Sequence, residues 1–302
     1  MTDLRADLAD IINRFSPGDG FHDLPLSGAH CIRLSQPSRP AKQHWRTSMS
    51  IIAQGCKEIM LGREIYCNDA AHYIATPIDL PVTSRVFSVT PEKPFLCLNV
   101  DLDPLALSEV AAQLEQGFPK GRENPVRAVF VGKATNPMLE AAVRLGKLCQ
   151  TPEDAPVLGP LVIKELLYQL LKGTDGPAIR QFVCAGSSMH KISQAIYRLK
   201  SELGEEIEVA ALARAANMSR SAFFKHFKEV TAMSPVQYQK RLRLLEARRL
   251  MTEDGETAEG AAFKVGYNSA SQFSREYSRM FGNAPLRDTM KMKNTGFPVP
   301  QT

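Results

Sequence analysis

Two short segments in the second half of this chain carry hydroxyl, amide and basic side chains at matching positions. Residues 219–227 read SRSAFFKHF and residues 269–277 read SASQFSREY, so an offset of 50 residues aligns two serines and a phenylalanine and pairs Lys225 with Arg275. Basic and amide side chains form paired hydrogen bonds with the edges of guanine and adenine, and hydroxyl groups bind phosphates. The repeat therefore indicates a surface that contacts nucleic acid twice in the same manner.

Helical phasing separates the residues of this repeat that pack inward from those that face outward. Large apolar residues recur at helical spacing in both copies and are expected to pack inward. They are Phe223, Phe227 and Val230 in the first copy and Phe273, Tyr277 and Met280 in the second. Ser219 and Arg220 are expected at a helix N-terminus, where free backbone N–H groups favour a phosphate. The other outward residues are expected to contact DNA: Ser221, Lys225 and Lys228 in the first copy, and Ser271, Gln272, Arg275 and Arg279 in the second.

Each copy predicts a helix-turn-helix, because a short alanine-rich helix, a turn, a serine N-cap and a second helix follow one another. The offset that aligns the serines also pairs Ala211 with Ala261 in the first helices. Gly260 lies beside this pair, and glycine inside a helix costs about 1 kcal/mol relative to alanine. The supporting helix of the second copy is therefore expected to be the less rigid one.

One long helix is predicted between the copies, over residues 235–251. With a rise of about 1.5 Å per residue it spans roughly 25 Å. Together with the packing of the two units, it is expected to set the two second helices about 34 Å apart, which is one turn of DNA. The basic residues of this helix are expected to be solvated, some of them near phosphates: Lys240, Arg241, Arg243, Arg248 and Arg249.

Charge is shared unevenly between the two halves of the chain. Residues 186–302 contain 18 Lys and Arg against 12 Asp and Glu, a net charge of +6, whereas residues 1–185 have a net charge of −1. A basic half beside a neutral half indicates a polyanionic partner for the second half only. Length and composition together predict two domains, at residues 1–182 and 189–290.

The first half has the pattern of a β-rich domain followed by helices. Short apolar runs between turn signals predict strands over residues 21–101, at spacings typical of a sandwich or small barrel. Helices are predicted within residues 1–20 and at 103–118, 137–149 and 156–172. The fold class is therefore α+β, with an all-α second domain. The apolar helix at 156–172 is compatible with a dimer seam and equally with the core.

The second half resembles the DNA-binding region of the AraC/XylS family of bacterial transcription regulators. The resemblance covers residues 189–290 and is carried by RLRLLEARRLM, by VGYNSASQFSREYSRMFG and by the Ala-Pro that follows. It implies DNA contacts from two recognition helices: Ser221, Ala222, Phe224 and Lys225 in the first, and Ser271, Gln272 and Arg275 in the second.

The first half resembles the N-terminal domain of a subgroup within the same family, over residues 40–182. The stretches that carry this resemblance are IIAQGCKEIMLGREIYCN, HYIATPIDLPV and PEKPFLCLNVDLDP. It implies a cupin-like β-barrel followed by helices. Such a domain binds a small effector, mediates dimerisation, or does both.

Four residues are candidates for contacts with an effector: Trp45, Tyr66, Cys67 and His72. Trp45 could also be a structural core residue, and nothing in the sequence indicates a lowered pKa for the Cys67 thiol. No metal or other cofactor is expected, since cupin metal sites need H-x-H followed by Glu and the histidines here stand singly. No catalytic residue is assigned, because no P-loop or G-x-S-x-G pattern occurs.

The main hypothesis is a regulator that binds duplex DNA sequence-specifically through its second half and is modulated through its first half. A cupin-type enzyme with a DNA-binding tail and a non-specific architectural DNA binder are the alternatives. The expected partners are double-stranded DNA, a small-molecule effector, a second copy of the chain and RNA polymerase. No apolar run approaches the roughly 20 residues that cross a bilayer, so no membrane partner and a cytoplasmic location are expected.

Overall fold

The first half of the protein combines one N-terminal helix with a set of short strands. The computed structural model describes residues 3–115 and 127–295. Helix α1 (Leu4–Phe15) begins after Asp3, whose carboxylate accepts a hydrogen bond from the Arg5 N–H. The strands are β1 (Gly20–Asp23), β2 (Ala29–Leu34), β3 (Ala41–Trp45), β4 (Ser48–Gln54), β5 (Cys56–Leu61), β6 (Glu64–Asn68), β7 (His72–Thr76), β8 (Leu80–Phe87), β9 (Phe95–Asp101) and β10 (Phe130–Lys133).

These strands form two antiparallel sheets. A six-stranded sheet has the order β1-β2-β9-β4-β7-β10, and a four-stranded sheet has the order β3-β8-β5-β6. Neighbouring strands pair antiparallel throughout, for example Ile51 of β4 opposite Leu98 of β9. The predicted β-rich first domain is confirmed.

The central strands of the six-stranded sheet have one apolar face and one polar face. Helix α1 packs on β4 and β9. Alternate residues of these strands are fully buried: Met49, Ile51, Leu98 and Val100. Successive strand residues point to opposite faces. The intervening residues therefore point into the space between the two sheets: Ser48, Ser50, Asn99 and Asp101.

Within its described residues, the first half also contains the helices α2 (Pro104–Glu115), α3 (Asn136–Leu148), α4 (Ala155–Lys172) and α5 (Gly176–Arg180). The later part of α4 is core, with Leu166, Leu167 and Leu170 fully buried. Its first part exposes Val157 and Leu161 by 68% and 61% of their surface. The core interpretation is therefore confirmed for the later part of α4, and the dimer seam stays a prediction for its exposed first part. The last three residues of the helix predicted at 103–118 lie outside the described residues.

The second half is helical, as predicted. Its helices are α6 (Ser188–Ser201), α7 (Val209–Ala215), α8 (Arg220–Thr231), α9 (Pro235–Thr252), α10 (Ala258–Lys264), α11 (Ala270–Phe281) and α12 (Pro285–Thr295). The helix expected at 235–251 is confirmed as α9 with one further residue. The α+β fold class is confirmed.

The internal repeat is less regular than its sequence alignment indicates. Helices α8 and α11 are offset by 50 residues, but α7 and α10 are offset by 49. The second turn therefore holds one more residue than the first. The pairing of Ala211 with Ala261 is wrong, since Ala211 corresponds to Gly260 in the helices themselves.

Buried apolar side chains join the two halves of the chain. One cluster runs from Leu8 in α1 through both sheets to Phe227 of α8 and Leu242 of α9. A separate cluster, from Leu244 of α9 to Tyr277 of α11, lies within the second helix-turn-helix. The division at residues 182 and 189 stays a prediction. Among the helices of the described residues, none combines the length and apolar character that a membrane crossing needs.

Candidate DNA-binding surface and effector cavity

Helices α8 and α11 begin with the same cap. The hydroxyl of Ser219 accepts a hydrogen bond from the Ala222 N–H at 3.2 Å, and the hydroxyl of Ser269 accepts one from the Gln272 N–H at 3.3 Å. Each cap satisfies one of the free N–H groups of the first helical turn. Both recognition helices therefore start at a defined residue with their remaining N–H groups directed outward.

Aromatic side chains fix the rotation of both recognition helices about their own axes. In the first unit the rings of Phe223 and Phe227 are 5.7 Å apart, and Phe227 meets Tyr238 of α9 edge-on at 5.4 Å. In the second unit Phe273 and Tyr277 are 5.4 Å apart. These rings are fully buried, so the opposite faces of α8 and α11 must point to solvent. The predicted inward stripes are confirmed, with Met280 half-buried at the end of the second.

The outward face carries the predicted DNA-contacting side chains. All of them except Phe224 are exposed: Ser219, Arg220, Ser221, Lys225, Lys228, Ser271, Gln272, Arg275 and Arg279. Phe224 is half-buried, with the Arg220 guanidinium 5.8 Å from its ring centre. Among the described residues, Lys225, Lys228, Arg275 and Arg279 have no ion-pair partner. Their charges are therefore available to phosphates and base edges.

The basic residues of α9 differ in role from the exposed basic residues of α8 and α11. Lys240 pairs with Glu276 at 2.6 Å, Arg248 with Asp288 at 2.9 Å and Arg249 with Glu246 at 2.8 Å. Arg243 donates to the carbonyls of Leu203 and Gly266. The expectation of a solvated basic face is therefore wrong for Arg243, Arg248 and Arg249, which are half-buried against partners within the second half, whereas Lys240 is paired but exposed. Arg241 is exposed.

Two glycines shape the supporting helix and turn of the second unit. Gly260 is three residues after the N-cap Thr257, whose hydroxyl accepts from the Gly260 N–H at 3.0 Å. A Cβ at this position would lie 3.0 Å from that hydroxyl and from a Glu256 carboxylate oxygen, so a side chain here would require a small shift of these groups. Gly266 has φ +85°, and a Cβ there would lie 2.1 Å from the Gly204 carbonyl oxygen. The lower rigidity expected of this helix stays a prediction.

The first half binds the C-terminal ends of both recognition helices. Arg127 donates to the Lys228 carbonyl at 2.7 Å and to the Glu229 carbonyl, at the end of α8. Lys42 of β3 donates to the Met280 carbonyl, at the end of α11. The last carbonyls of a helix lack partners within it and carry partial negative charge. These two cations, here named the interdomain cations, therefore hold α8 and α11 at the ends opposite their serine caps.

Asp79 forms a third contact between the halves. Its carboxylate lies 2.5 Å from the Lys200 ammonium of α6, and its carbonyl accepts from the buried Tyr238 hydroxyl at 2.6 Å. His44 Nε2 lies 3.5 Å from the same carboxylate. Burial alone would raise the pKa of Asp79, but interactions with His44 and Lys200 hold it well below its usual range. Asp79 is therefore ionised and joins the β-rich domain to α6 and α9 of the second half.

A cavity of about 480 Å³ lies between the two sheets. Trp45 lines it from β3, and its indole N–H donates to Gln43 at 3.0 Å. Lys57 of β5 also lines it, with its ammonium 4.4 Å from the centre of the Trp45 ring. Burial lowers the pKa of Lys57 to about 8. The cavity is therefore lined by a half-buried lysine ammonium.

The opposite wall of the cavity is a chain of polar side chains. Ser50 of β4 donates to the Asn99 side-chain oxygen, and Asn99 of β9 donates to His30 Nε2 at 3.0 Å. Burial lowers the pKa of His30, so its ring is neutral at pH 7 and carries its proton on Nδ1. This wall offers hydrogen-bonding groups to a molecule in the cavity.

The chain matches two family models. Residues 25–178 match the model described as "AraC-type transcriptional regulator N-terminus", which is half of the chain, and residues 212–288 match a helix-turn-helix domain. The chain belongs to the AraC family of transcription regulators. The second match spans both capped recognition helices, and the first includes most of the residues around the cavity.

Individual relatives of this AraC-family chain are distant. It is 27% identical over 165 residues to the HTH-type transcriptional regulator ExsA of Pseudomonas aeruginosa, covering 55% of this chain and 59% of ExsA. It is 28% identical over 101 residues to the transcriptional activator RhaS of Pectobacterium carotovorum, covering 33% of this chain and 36% of RhaS. The chain thus spans less than two thirds of these curated relatives.

Solved structures of ToxT from Vibrio cholerae share the AraC-family fold. One at 1.65 Å resolution superposes with a TM-score of 0.57 at 10% identity, covering 87% of this chain and 96% of ToxT. Another, of wild-type ToxT bound to an unsaturated fatty acid, gives a TM-score of 0.56 at 13% identity and covers 87% and 94% of the two chains. At such low identity the likeness shows the fold alone.

Of the four predicted effector residues, the structure places Trp45 at the cavity and the other three elsewhere. Trp45 lines the cavity. Tyr66 instead donates to Glu64 at 2.6 Å, His72 pairs with Asp69 at 2.7 Å, and Cys67 is exposed on β6. These three do not line the cavity around Trp45.

Sequence reasoning missed Lys57, His30, Ser50 and Asn99. A signal for the last two existed, since serine and asparagine alternate with large apolar residues in β4 and β9. No sequence signal places Lys57 opposite them, because its strand belongs to the other sheet.

Proposed function

We propose that this protein binds duplex DNA sequence-specifically through α8 and α11. The observation that carries the proposal is the pair of capped recognition helices, whose unpaired basic residues share one outward face. Lys225 and Arg275 occupy equivalent positions on the two helices. Basic side chains at such positions can reach guanine edges, and Gln272 can pair with adenine.

The first half regulates this binding by controlling the two recognition helices together. The interdomain cations, Lys42 and Arg127, join one β-rich domain to the ends of both helices. A change in that domain would therefore alter the relative position of α8 and α11. Two major-groove contacts tolerate little change in spacing, so DNA affinity depends on the state of the first half.

A small molecule in the cavity lined by Trp45 is the effector in this proposal. ToxT, which shares the fold, has been solved with an unsaturated fatty acid bound. The cavity here has a volume within the usual range for small-molecule sites. Its wall residue His44 lies beside Asp79, which contacts α6 and α9.

The protein acts as a homodimer and in the cytoplasm, where it meets its DNA. The dimer contact is the exposed apolar face formed by Val157, Leu158 and Leu161 at the start of α4. Contiguous apolar surface of this kind is typical of protein interfaces. A contact with RNA polymerase follows from the regulatory role and has no particular surface assigned to it.

A selection of bound DNA sequences from a random pool tests the DNA-binding proposal. We expect enrichment of one motif, with half-sites about one helical turn apart. Arg275→Ala should weaken binding to that motif by about 1–3 kcal/mol and relax base preference at one position, with little change on random DNA.

Lys264→Ala is the matched control, since this exposed residue of α10 is already paired with Glu256. Equal affinity for all sequences would instead support an architectural DNA binder. Turnover of a small molecule by the purified protein, without enrichment of any motif, would support the enzyme alternative.

A further inference from the structure

The cavity between the sheets has polar walls where a protein interior is usually apolar. Ser48, Ser50, Asn99 and Asp101 project from the six-stranded sheet into this space, while their neighbours along the strands are buried apolar residues. Polar side chains that converge on a cavity of about 480 Å³ therefore indicate a binding site for a polar molecule.

Lys57 is the charged group at the centre of this site. Its ammonium lies 4.4 Å from the ring centre of Trp45 and 5.8 Å from that of Phe95. Within residues 3–115 and 127–295, no carboxylate lies within ion-pair distance of it. The two aromatic faces attract the ammonium but leave its N–H donors free. A half-buried ammonium without a carboxylate partner can bind an anionic group of a ligand.

The carboxylates of the cavity do not fill this need. Asp23 and Asp101 line the same space but belong to β1 and β9 of the six-stranded sheet, whereas Lys57 projects from the four-stranded sheet. The other charged groups in the lining are Arg46 and the histidines His30 and His44. The side of the cavity that holds Lys57 therefore has a positive charge without a matching negative one.

We propose that this cavity binds a small organic carboxylate, with its carboxylate on the Lys57 ammonium and its apolar body against Trp45. The wall formed by Ser50, Asn99 and His30 then supplies hydrogen bonds to a polar substituent at the other end of the molecule. This assignment rests on the proposed function, because it identifies the chemical class of the effector that the first half would sense.

Matched acids and amides test this assignment in the full-length protein. The probes are 2-naphthoate with 2-naphthamide, and cyclohexanecarboxylate with its amide, measured by titration calorimetry. Trp45 is the single tryptophan of the chain, so its fluorescence is a second readout that reports from the cavity itself. We expect each acid to bind at least tenfold more tightly than its amide.

Substitutions at Lys57 then identify the group responsible. Lys57→Met and Lys57→Gln should both remove the preference for the acid while amide binding persists. Lys133→Met is the control, because Lys133 is exposed on β10 outside the cavity; it should bind acid and amide as the wild type does. Circular dichroism of each variant establishes that it is folded.

Three results would overturn the assignment: equal affinity for acid and amide, an undiminished acid preference in both Lys57 variants, or no binding of either acid at millimolar concentration. These results are separable from failure of the proposed function. A protein that selects a DNA motif but binds no carboxylate refutes only the ligand class. A protein that binds the acids but no DNA motif refutes the proposed regulator instead.

Discussion

The half-buried side chain of Lys57 links the stability of the folded protein to the binding of a ligand in the cavity. Its pKa is about 8 in the folded protein, against 10.5 for an ordinary lysine, because burial disfavours the charged form. Between these two values the unfolded chain binds more protons than the folded one, so the free energy of unfolding rises with pH. At pH 7 both states are protonated, and the full penalty for burying the ammonium is present.

Lys57→Met should therefore stabilise the protein when no ligand is bound. The fall in the pKa of Lys57 from 10.5 to about 8 corresponds to roughly 3 kcal/mol, and the lost contact with the aromatic rings offsets about 1–2 kcal/mol of it. We expect the variant to unfold at a higher urea concentration than the wild type at pH 7. The advantage should shrink as pH rises to 9.5, because wild-type Lys57 then loses its proton.

The neighbouring Cys97 does not complicate this comparison. Burial raises its pKa to about 11, so it stays neutral over the range used. Lys133→Met provides the exposed control and should leave the urea midpoint unchanged. A less stable Lys57→Met protein at pH 7 would contradict this account and indicate that the ammonium has a structural partner.

The sequence distinguishes poorly between basic residues that bind DNA and basic residues that hold the fold together. Arg248 and Arg275 both lie on amphipathic helices of the same basic half. Arg248 is paired with Asp288, 40 residues further along the chain, whereas Arg275 has no such partner in the described part of the protein. The pairing follows from how α9 packs on α12, which local spacing cannot predict.

Among the secondary-structure elements, the recognition helices are held at both ends. Serine caps define their N-termini, and the interdomain cations bind carbonyls at their C-termini. Loss of one such hydrogen bond removes about 1 kcal/mol from local stability, which corresponds to roughly fivefold faster opening of the last turn.

Hydrogen exchange can test each interdomain cation separately. Arg127→Ala should speed amide exchange in the last turn of α8, residues 228–231, about fivefold and leave α11 unchanged. Lys42→Ala should do the reverse, with faster exchange at residues 278–281 only. Lys133→Ala serves as the control for loss of a lysine from the same domain. Equal exchange in all variants would show that these contacts do not restrain the helices.

Long elements whose apolar residues recur at a regular spacing could be predicted from the sequence. Short elements that exist because they pair with a distant part of the chain could not. The sequence predicts the helices at 137–149 and 156–172 close to their observed bounds, because the apolar residues of each recur at helical spacing. Strand β3, with the sequence AKQHW, has no regular spacing of apolar residues, and all five of its residues are half-buried. It exists because it pairs with β8. The extra residue in the second turn was also not predicted, because the aligned serines of α8 and α11 determine the offset of 50 residues on which the sequence alignment rests.

In the whole molecule, the DNA-contacting surface and the exposed apolar face belong to different halves. The apolar face lies on the first turns of α4, where Val157 and Leu161 are exposed by more than half of their surface. Ion pairs lie next to it, between Lys164 and Glu109 at 3.0 Å and between Arg144 and Glu165. An apolar centre with a polar rim is the usual anatomy of a protein interface.

Leu161→Asp tests whether this face joins two copies of the chain. Leu161 exposes 61% of its surface, so the substitution should leave the fold intact but place a charge at the centre of the interface, where an unpaired charge is strongly unfavourable. Sedimentation velocity at micromolar concentration should give a dimer for the wild type and a monomer for the variant.

Val236→Asp, at an apolar residue of α9 with 55% exposure, should remain dimeric. A monomeric wild type, or a dimer that survives Leu161→Asp, would assign the face to another contact. Since two copies double the number of recognition helices on one DNA, loss of the dimer should also lower affinity for a two-site DNA far more than for a single site.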